Sequence, residues 1–377
     1  MSSAPCAYRA LSTRSHSLFP SPVPSTLQRL QLRRRDHYLT SRGHASSSKT
    51  HSRPSSSAEP TTSSVPSTTS TATTSLANDV NPPPSTLPAD LNLPDPVSSS
   101  ATTADKLKRY VAMGRAYLSF YKTGLKNVYH NYRASLPIRR SLGLTPYLPI
   151  SPPPTPSKGK KSVTFRKALE SAQLSRSSFQ LVRRAAYDVR RMIPFAIILI
   201  VCGEMTPLAV LALGNAVTPF TCRVPRQIEK DRIQRTIRKR AAVAAHQAAT
   251  GGSVTPSVAG SDQELDLLVK MYANPEWIEN SSAEEVLRAC AVLSLVKTHT
   301  RPPGLVSVYR ARLRRYAEYL RLDDELIRRC GGVQAMDGVE VRIAVEERGG
   351  VGVAEGKEGW DAERDERRWL EKWLKRR

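Results

Sequence analysis

The sequence predicts a mainly α protein with one kinked transmembrane helix, helical segments on both sides of it, and a disordered amino-terminal region. Three observations predict this. The run Met192–Val217 (MIPFAIILIVCGEMTPLAVLALGNAV) is apolar and of membrane length. Apolar side chains recur at spacings of three and four before and after it. Residues 46–104 are mostly Ser, Thr and Pro, with too few large apolar side chains to offset the entropy of ordering.

The apolar run comes first because nothing else in the chain resembles it. A helix needs about 20 apolar residues to cross roughly 30 Å of hydrocarbon, and this stretch of 26 positions carries one charged residue, Glu204. Pro194 and Pro207 each remove a backbone donor, and with Gly203 and Gly214 they predict a kinked or divided helix. A carboxyl at bilayer depth costs a few kcal/mol on insertion scales. Three readings of Glu204 stay open: a shallow or re-entrant run with the carboxyl near headgroups, a proton or cation site, or helix packing through a hydrogen bond. With one crossing per chain, a partner for that carboxyl implies self-association.

Cations fence both ends of the run. Arg183, Arg184, Arg190 and Arg191 precede it; Arg223, Arg226, Lys230, Arg232, Arg235, Arg238, Lys239 and Arg240 follow. Orientation is therefore not set by charge alone. The 223–240 stretch holds those eight cations against Glu229 and Asp231, and is expected to meet RNA phosphate or anionic lipid. Arg310, Arg312, Arg314, Arg315 and Arg321 form a second basic patch, for which a solvated face is the plainer reading.

Residues 1–45 read as a mitochondrial presequence. No Asp or Glu occurs before Asp36, while Arg9, Arg14, Arg29, Arg33, Arg34 and Arg35 lie among Ser, Leu and Ala. A secretory signal needs an unbroken apolar stretch, and Leu18-Phe19 runs straight into Pro20. Residues 46–104 read as a disordered linker, and residues 105–191 as a membrane-proximal helical region.

The net charge of +24 suggests nucleic acid until its distribution is considered. Residues 1–221 hold 28 of the 57 basic and 9 of the 33 acidic side chains, so most of the excess belongs to the presequence and the flank of the run. A DNA-binding domain is not expected. The cysteines at 6, 202, 222, 290 and 330 form no CxxC pair, and no HExxH or GxxxxGK[ST] motif is present. No metal site, cofactor, catalytic constellation or enzyme is expected.

From Asp105 to Arg133, Leu107, Tyr110, Val111, Tyr117, Leu118, Tyr121, Leu125, Val128, Tyr129 and Tyr132 describe one amphipathic helix; its aromatic stripe is open to three readings, a membrane interface, stacking on RNA bases, or packing on a core, the last being the commonest arrangement. Prolines from Pro137 to Pro156 end it, and a second helix containing Leu174 and Phe179 runs into the apolar segment. Beyond the run, residues 218–377 read as an all-helical domain. Ser261 with Glu264 and Ser282 with Glu285 have capping-box spacing. Asp323-Asp324 read as the cap of a short helix ending at Gly331-Gly332, and another helix runs from about Gly338 to Arg348-Gly349, although Val339, Val341 and Ile343 alternate as in a strand. Trp369, Trp373 and Leu374 share one face of the last helix and are expected in the core.

These segments resemble the mitochondrial inner-membrane Letm family (leucine zipper, EF-hand and transmembrane proteins), and in particular its ribosome-binding-like domain. LSRSSFQLVRRAAYDVRRMIPFAIILIVCGEMTPLAVL at 174–211 is similar to the family's basic helix, Pro-Phe start of the span, and mid-membrane Glu with following Pro. Here those are Arg183, Arg184, Asp188, Pro194, Phe195, Glu204 and Pro207. RPPGLVSVYRARLRRYAEYLRLDDELIRRCGG, EERGG and WLEKWL resemble the order of short helices in the family's matrix domain. There is no DxDxDG EF-hand loop and no long heptad repeat, so calcium sensing and zipper assembly do not carry over.

The resemblance implies a single-pass inner-membrane protein with its carboxyl-terminal domain in the matrix. It implies binding of the mitochondrial ribosome, through the large subunit, in support of translation or membrane insertion of inner-membrane proteins. It also implies an alternative, potassium/proton exchange and ion homeostasis built around Glu204.

Overall fold

The computed structural model describes residues 76–96, 102–145, 150–154, 160–202, 218–251, 258–300 and 303–377. The expected presequence, residues 46–75 of the expected linker, and the distal part of the apolar run with Glu204 and Pro207 lie outside the described residues.

Among the described residues the protein is helical and has no strand. After a short helical stretch at residues 76–80, ten helices follow in order: α1 Thr103–Ser141, α2 Lys160–Ser171, α3 Arg176–Cys202, α4 Pro225–Ala249, α5 Asp262–Asp266, α6 Pro275–Asn280, α7 Ala283–Val292, α8 Val306–Arg329, α9 Gly338–Glu347 and α10 Gly359–Arg376. A π-helical turn, Leu267–Tyr272, continues α5, and short 3₁₀ turns lie at Pro84–Thr86, Phe220–Cys222, Pro303–Leu305 and Val333–Ala335.

The helix starts follow from local chemistry. Ser282 accepts from the Glu285 amide while the Glu285 carboxylate accepts from the Ser282 amide, closing the expected box. Ser261 caps α5, but Glu264 does not complete the box: its carboxylate takes the Gly260 amide and Lys239 instead. Gly331 and Gly332 adopt positive φ after α8, which only glycine does at low cost.

One apolar core runs through the described chain. It joins Phe179 and Val182 of α3 with Leu265, Leu268, Tyr272, Ile278, Leu287, Leu313, Leu320, Val341 and Trp373. Trp369 and Trp373 stack at 5.7 Å between centroids and are both buried, with Leu374 packed against the core. Helices before and after the apolar run thus share one interior, which positions everything below.

Five expectations are corrected. The linker does not extend to 104: residues 76–80 are helical, Val80 is fully buried, and Asn81 bonds the Ala335 carbonyl and the Asp337 amide. Order here comes from partners some 250 positions away, which composition cannot register. α1 runs through Pro137 to Ser141. Its aromatic stripe is not a core stripe along its length, because α1 has no buried residue before Phe120, and Tyr110 and Leu118 are about two-thirds exposed. The second pre-run helix is two, α2 and α3, separated by a turn in which Gln173 has φ +44°. Asp323 and Asp324 cap nothing; both lie inside α8, fully buried.

Helix α3 carries the first part of the apolar run, with Pro194 inside it. Ile193, Ile197, Ile200 and Val201 are more than half exposed, and at i, i+4, i+7 and i+8 they lie on one face. Among the described residues, no helix is long and apolar enough to cross a membrane.

Candidate functional site

Two features stand out from ordinary helical packing: the root of the apolar run, and a charged cluster in the core beneath it. Both are built on α3.

At the root, Asp188 is buried one turn before Met192. Its carboxylate accepts the backbone N–H of Phe220 at 2.7 Å, from the first residue of the 3₁₀ turn that follows the run. Arg223, also buried, donates to the Tyr187 hydroxyl at 2.9 Å. The same turn wedges against α1, where Thr221 donates to the Gly124 carbonyl at 3.4 Å. Gly124 has no substitute here: a Cβ would lie 2.7 Å from Cys222 Sγ and 2.9 Å from the Thr221 carbonyl oxygen. Burial pushes the Asp188 carboxyl up to about 6, against the lowering pull of the Phe220 and Thr221 amides and Arg223. Burial likewise lifts the Cys222 thiol to about 11, so it is unreactive.

Beneath the root lies an arginine–carboxylate network with little access to water. Arg176 Nε meets Asp323 at 3.0 Å, and its NH1 donates to the Val80 carbonyl. Arg184 grips Glu340 through two bonds of 2.7 and 2.8 Å. Arg348 bridges Asp323 at 2.7 Å and Asp324 at 2.6 Å. Gln180 donates to Asp323, and the Trp373 indole donates to Asp324. The Arg183 guanidinium lies 3.2 Å from the centroid of the Tyr319 ring, whose hydroxyl donates to Glu347.

Each charge in this network is compensated. Burial opposes the ionised form of Asp323, yet Arg176 and Arg348 outweigh it and hold the carboxyl below the usual range. Burial works against Arg348 too, and Asp324 and Asp323 override it, raising its pKa. Continuum reasoning says such buried pairs give little net stability but are costly to break, so the network locks α3, α8, α9 and α10 into one arrangement.

The eight cations expected to form a contact surface at 223–240 are divided by the structure. Arg223 and Lys239 are buried, and Lys239 pairs with Glu264 at 2.8 Å and donates to the Val351 carbonyl. Burial lowers the Lys239 pKa, with Glu264 opposing. Arg232 holds Glu346 and Glu229, Arg235 holds Asp231, and Arg238 lies 3.9 Å from Asp231. Arg240 pairs with Glu355 at the surface. Arg226 and Lys230 are exposed. The stripe is therefore mostly an internal brace: Glu229 and Asp231 of α4 itself pair with Arg232, Arg235 and Arg238, and the other carboxylates, Glu264, Glu346 and Glu355, come from α5, α9 and the segment after α9.

The second basic patch is similarly engaged. Arg310 donates to the Ser281 carbonyl, Arg312 to Leu295, Arg315 to Ser151 and Pro153, while Arg314 and Arg321 pair with Glu279 and Glu318.

A surface feature that the spacing argument missed lies on α10. Trp360 is 85 % exposed, over a hollow also lined by Gln334, Glu363, Arg364, Arg367, Arg368 and Glu371, with Arg367 paired to Glu363. Its position in the first turn of α10, ahead of the buried Trp369 and Trp373, was the available signal.

Among the described residues, no group of three or more His, Cys, Asp or Glu side chains is arranged to hold a metal ion. No family model matches the chain, and neither curated proteins nor solved structures yield a match.

Proposed function

We propose that this chain is a mitochondrial inner-membrane protein that holds the large subunit of the mitochondrial ribosome at the membrane through its helical domain. In this role it supports translation or insertion of inner-membrane proteins. The observation that carries the ribosomal part is the Trp360 hollow. A large exposed aromatic beside Arg364 and Arg368 can stack on an unpaired base while the guanidinium groups meet phosphate. Exposed Arg226 and Lys230 add cations beside the root of the apolar run.

The membrane part rests on the run Met192–Val217, on its resemblance to the Letm family, and on the exposed apolar face of α3. The charged network supports a tether mechanically, because it ties that helix to the domain that would carry the load. Sedimentation of gently solubilised mitochondria across a salt series tests the reading. Full-length protein is expected to travel with the large subunit and to leave it as salt rises. Absence from that fraction at every salt concentration sinks the proposal.

A second reading, potassium/proton exchange, is favoured by Glu204 and Pro207 within the run, since an acid beside a helix break suits coupled ion movement. Glu204→Gln is expected to leave ribosome association intact. Unchanged proton-coupled potassium flux in vesicles carrying that variant removes the exchanger reading.

A further inference from the structure

On one side of α3, arginines are gathered with few acids to answer them. Arg190 Nε donates to the Ala186 carbonyl of its own helix, and its Nη2 donates to the Ser151 hydroxyl at 2.5 Å. Arg315 of α8 converges on the same residue. Its Nη2 donates to the Ser151 carbonyl at 2.7 Å and its Nε to the Pro153 carbonyl at 2.8 Å. Two guanidinium groups therefore meet at one serine, and neither has a carboxylate partner among the described residues.

The surroundings leave this positive charge uncompensated. Burial and then Arg183 push the Arg190 guanidinium down, and burial followed by Arg190 and Arg183 does the same to Arg315. Arg183 has one acid, Glu347, which also accepts from the Tyr319 hydroxyl. In both Arg190 and Arg315 the Nη1 group makes no hydrogen bond among the described residues, and the Ser151 hydroxyl proton is given to no acceptor there. A phosphate brings negative charge together with several acceptor oxygens, which is what such a set of donors lacks.

The next turns of the helix select the kind of phosphate. Arg183, Arg190, Ile197 and Val201 stand at i, i+7, i+14 and i+18 on one face of α3, with Ile193 one turn beyond Arg190. Ile193, Ile197, Ile200 and Val201 are all more than half exposed. From position 190 to position 201 the helix rises about 16 Å at 1.5 Å per residue, and one leaflet is half of roughly 30 Å of hydrocarbon. A cationic head with an apolar strip of leaflet depth beyond it matches a lipid. Free phosphate has no chain with which to cover the isoleucines.

We propose that Arg190, Arg315 and the Ser151 hydroxyl hold the headgroup phosphate of an anionic phospholipid, whose acyl chain lies along the face from Ile193 to Val201. The inference rests on the membrane part of the reading above. The bound lipid neutralises the arginines and covers the exposed strip of α3 in one stroke.

The test is native mass spectrometry of the full-length protein in non-ionic detergent, titrated with phosphatidylglycerol. One lipid per chain is expected to stay bound, with phosphatidylcholine at least tenfold weaker because its choline brings a cation toward the arginines. Arg190→Gln should weaken retention at least tenfold, and Ile197→Gln should weaken it as well. Lys375→Gln, an equal loss of charge at an exposed position of α10, should not. Arg315→Gln should behave as Arg190→Gln does; if its melting temperature falls, the exposed Arg190 decides alone. Equal retention by Arg190→Gln and Lys375→Gln overturns the site. Displacement of the lipid by inorganic phosphate, with no effect of Ile197→Gln, makes free phosphate the ligand and also overturns the proposal. Flotation with phosphatidylcholine vesicles reads the membrane part separately. A chain that floats but retains no phosphatidylglycerol loses the lipid site alone, whereas a chain that does not float loses both.

Discussion

The Asp188 carboxylate and the Phe220 amide, 2.7 Å apart, close a loop around the whole apolar run. The helix that leaves the body and the turn that returns to it are thereby one structural unit.

That bond carries a pH dependence. Burial raises the Asp188 carboxyl to about 6, above its unfolded value near 3.8. A raised carboxyl binds a proton more tightly in the folded state, so its contribution to stability is complete below about 3.8 and is lost as pH rises through about 6. The full span is on the order of 3 kcal/mol at most. Asp188→Asn removes this titration. The melting temperature of the variant relative to wild type should therefore rise between pH 4 and pH 7.5; a constant difference would show that Asp188 does not titrate in this window.

Gly124→Ala places a methyl group against Cys222 Sγ and the Thr221 carbonyl. The turn must move, and overpacking of this kind costs about 1–3 kcal/mol. Denaturant midpoints should fall accordingly. Ala at Gly114, on the same helix with open space around its Cα, serves as control and should be neutral or slightly stabilising by helix propensity.

Removing one partner from the charged network leaves the other charges buried. Arg348→Met should cost about 3–5 kcal/mol, and Arg348→Lys should not restore it, since one ammonium cannot bridge Asp323 and Asp324 as the guanidinium does. Asp323 is held below the ordinary carboxylate range, so its stabilisation is present above about pH 4 and is lost as pH falls further. Urea titrations at pH 7 and pH 3 check both statements.

Cations that brace the fold and cations that face outward should separate on mutation. Lys239→Ala leaves Glu264 buried without its partner and should lower stability. The changes Arg226→Ala, Lys230→Ala and Trp360→Ala leave the interior alone. They should weaken ribosome co-sedimentation, the two cation losses also flattening its salt dependence. Intact association in all three, at every salt concentration, would move the contact elsewhere.

What the sequence reveals and what it hides divide by range. Ser282 with Glu285, and Trp369 with Trp373, act across one helical turn, so their spacing announces them. Asp323-Asp324 looked like a cap because acids favour helix starts. Their partners Arg176 and Arg348 lie 147 and 24 positions away, and nothing local marks the pairing. The cations of 223–240 misled in part for the same reason: Glu264, Glu346 and Glu355 reach Lys239, Arg232 and Arg240 from distant segments, while Glu229 and Asp231 pair within the helix. Even the folded piece around Val80 and Asn81 is ordered by the far end of the chain. Membrane length was legible in the run, whereas the meeting of its two ends was not, since a contact between Asp188 and Phe220 leaves no trace in composition or period.

Arg176 has a further consequence, in the order of synthesis. Its guanidinium is made early and finds Asp323 147 positions later. Until α8 has emerged, Arg176 has no Asp323 to pair with, and only the part of the core supplied by the earlier chain, such as Leu142, Phe165 and Leu169, is present. The base of α3 therefore reaches its charge-paired packing only after α8 has been made. The helix that carries the first part of the apolar run is latched only when the carboxyl-terminal helices arrive.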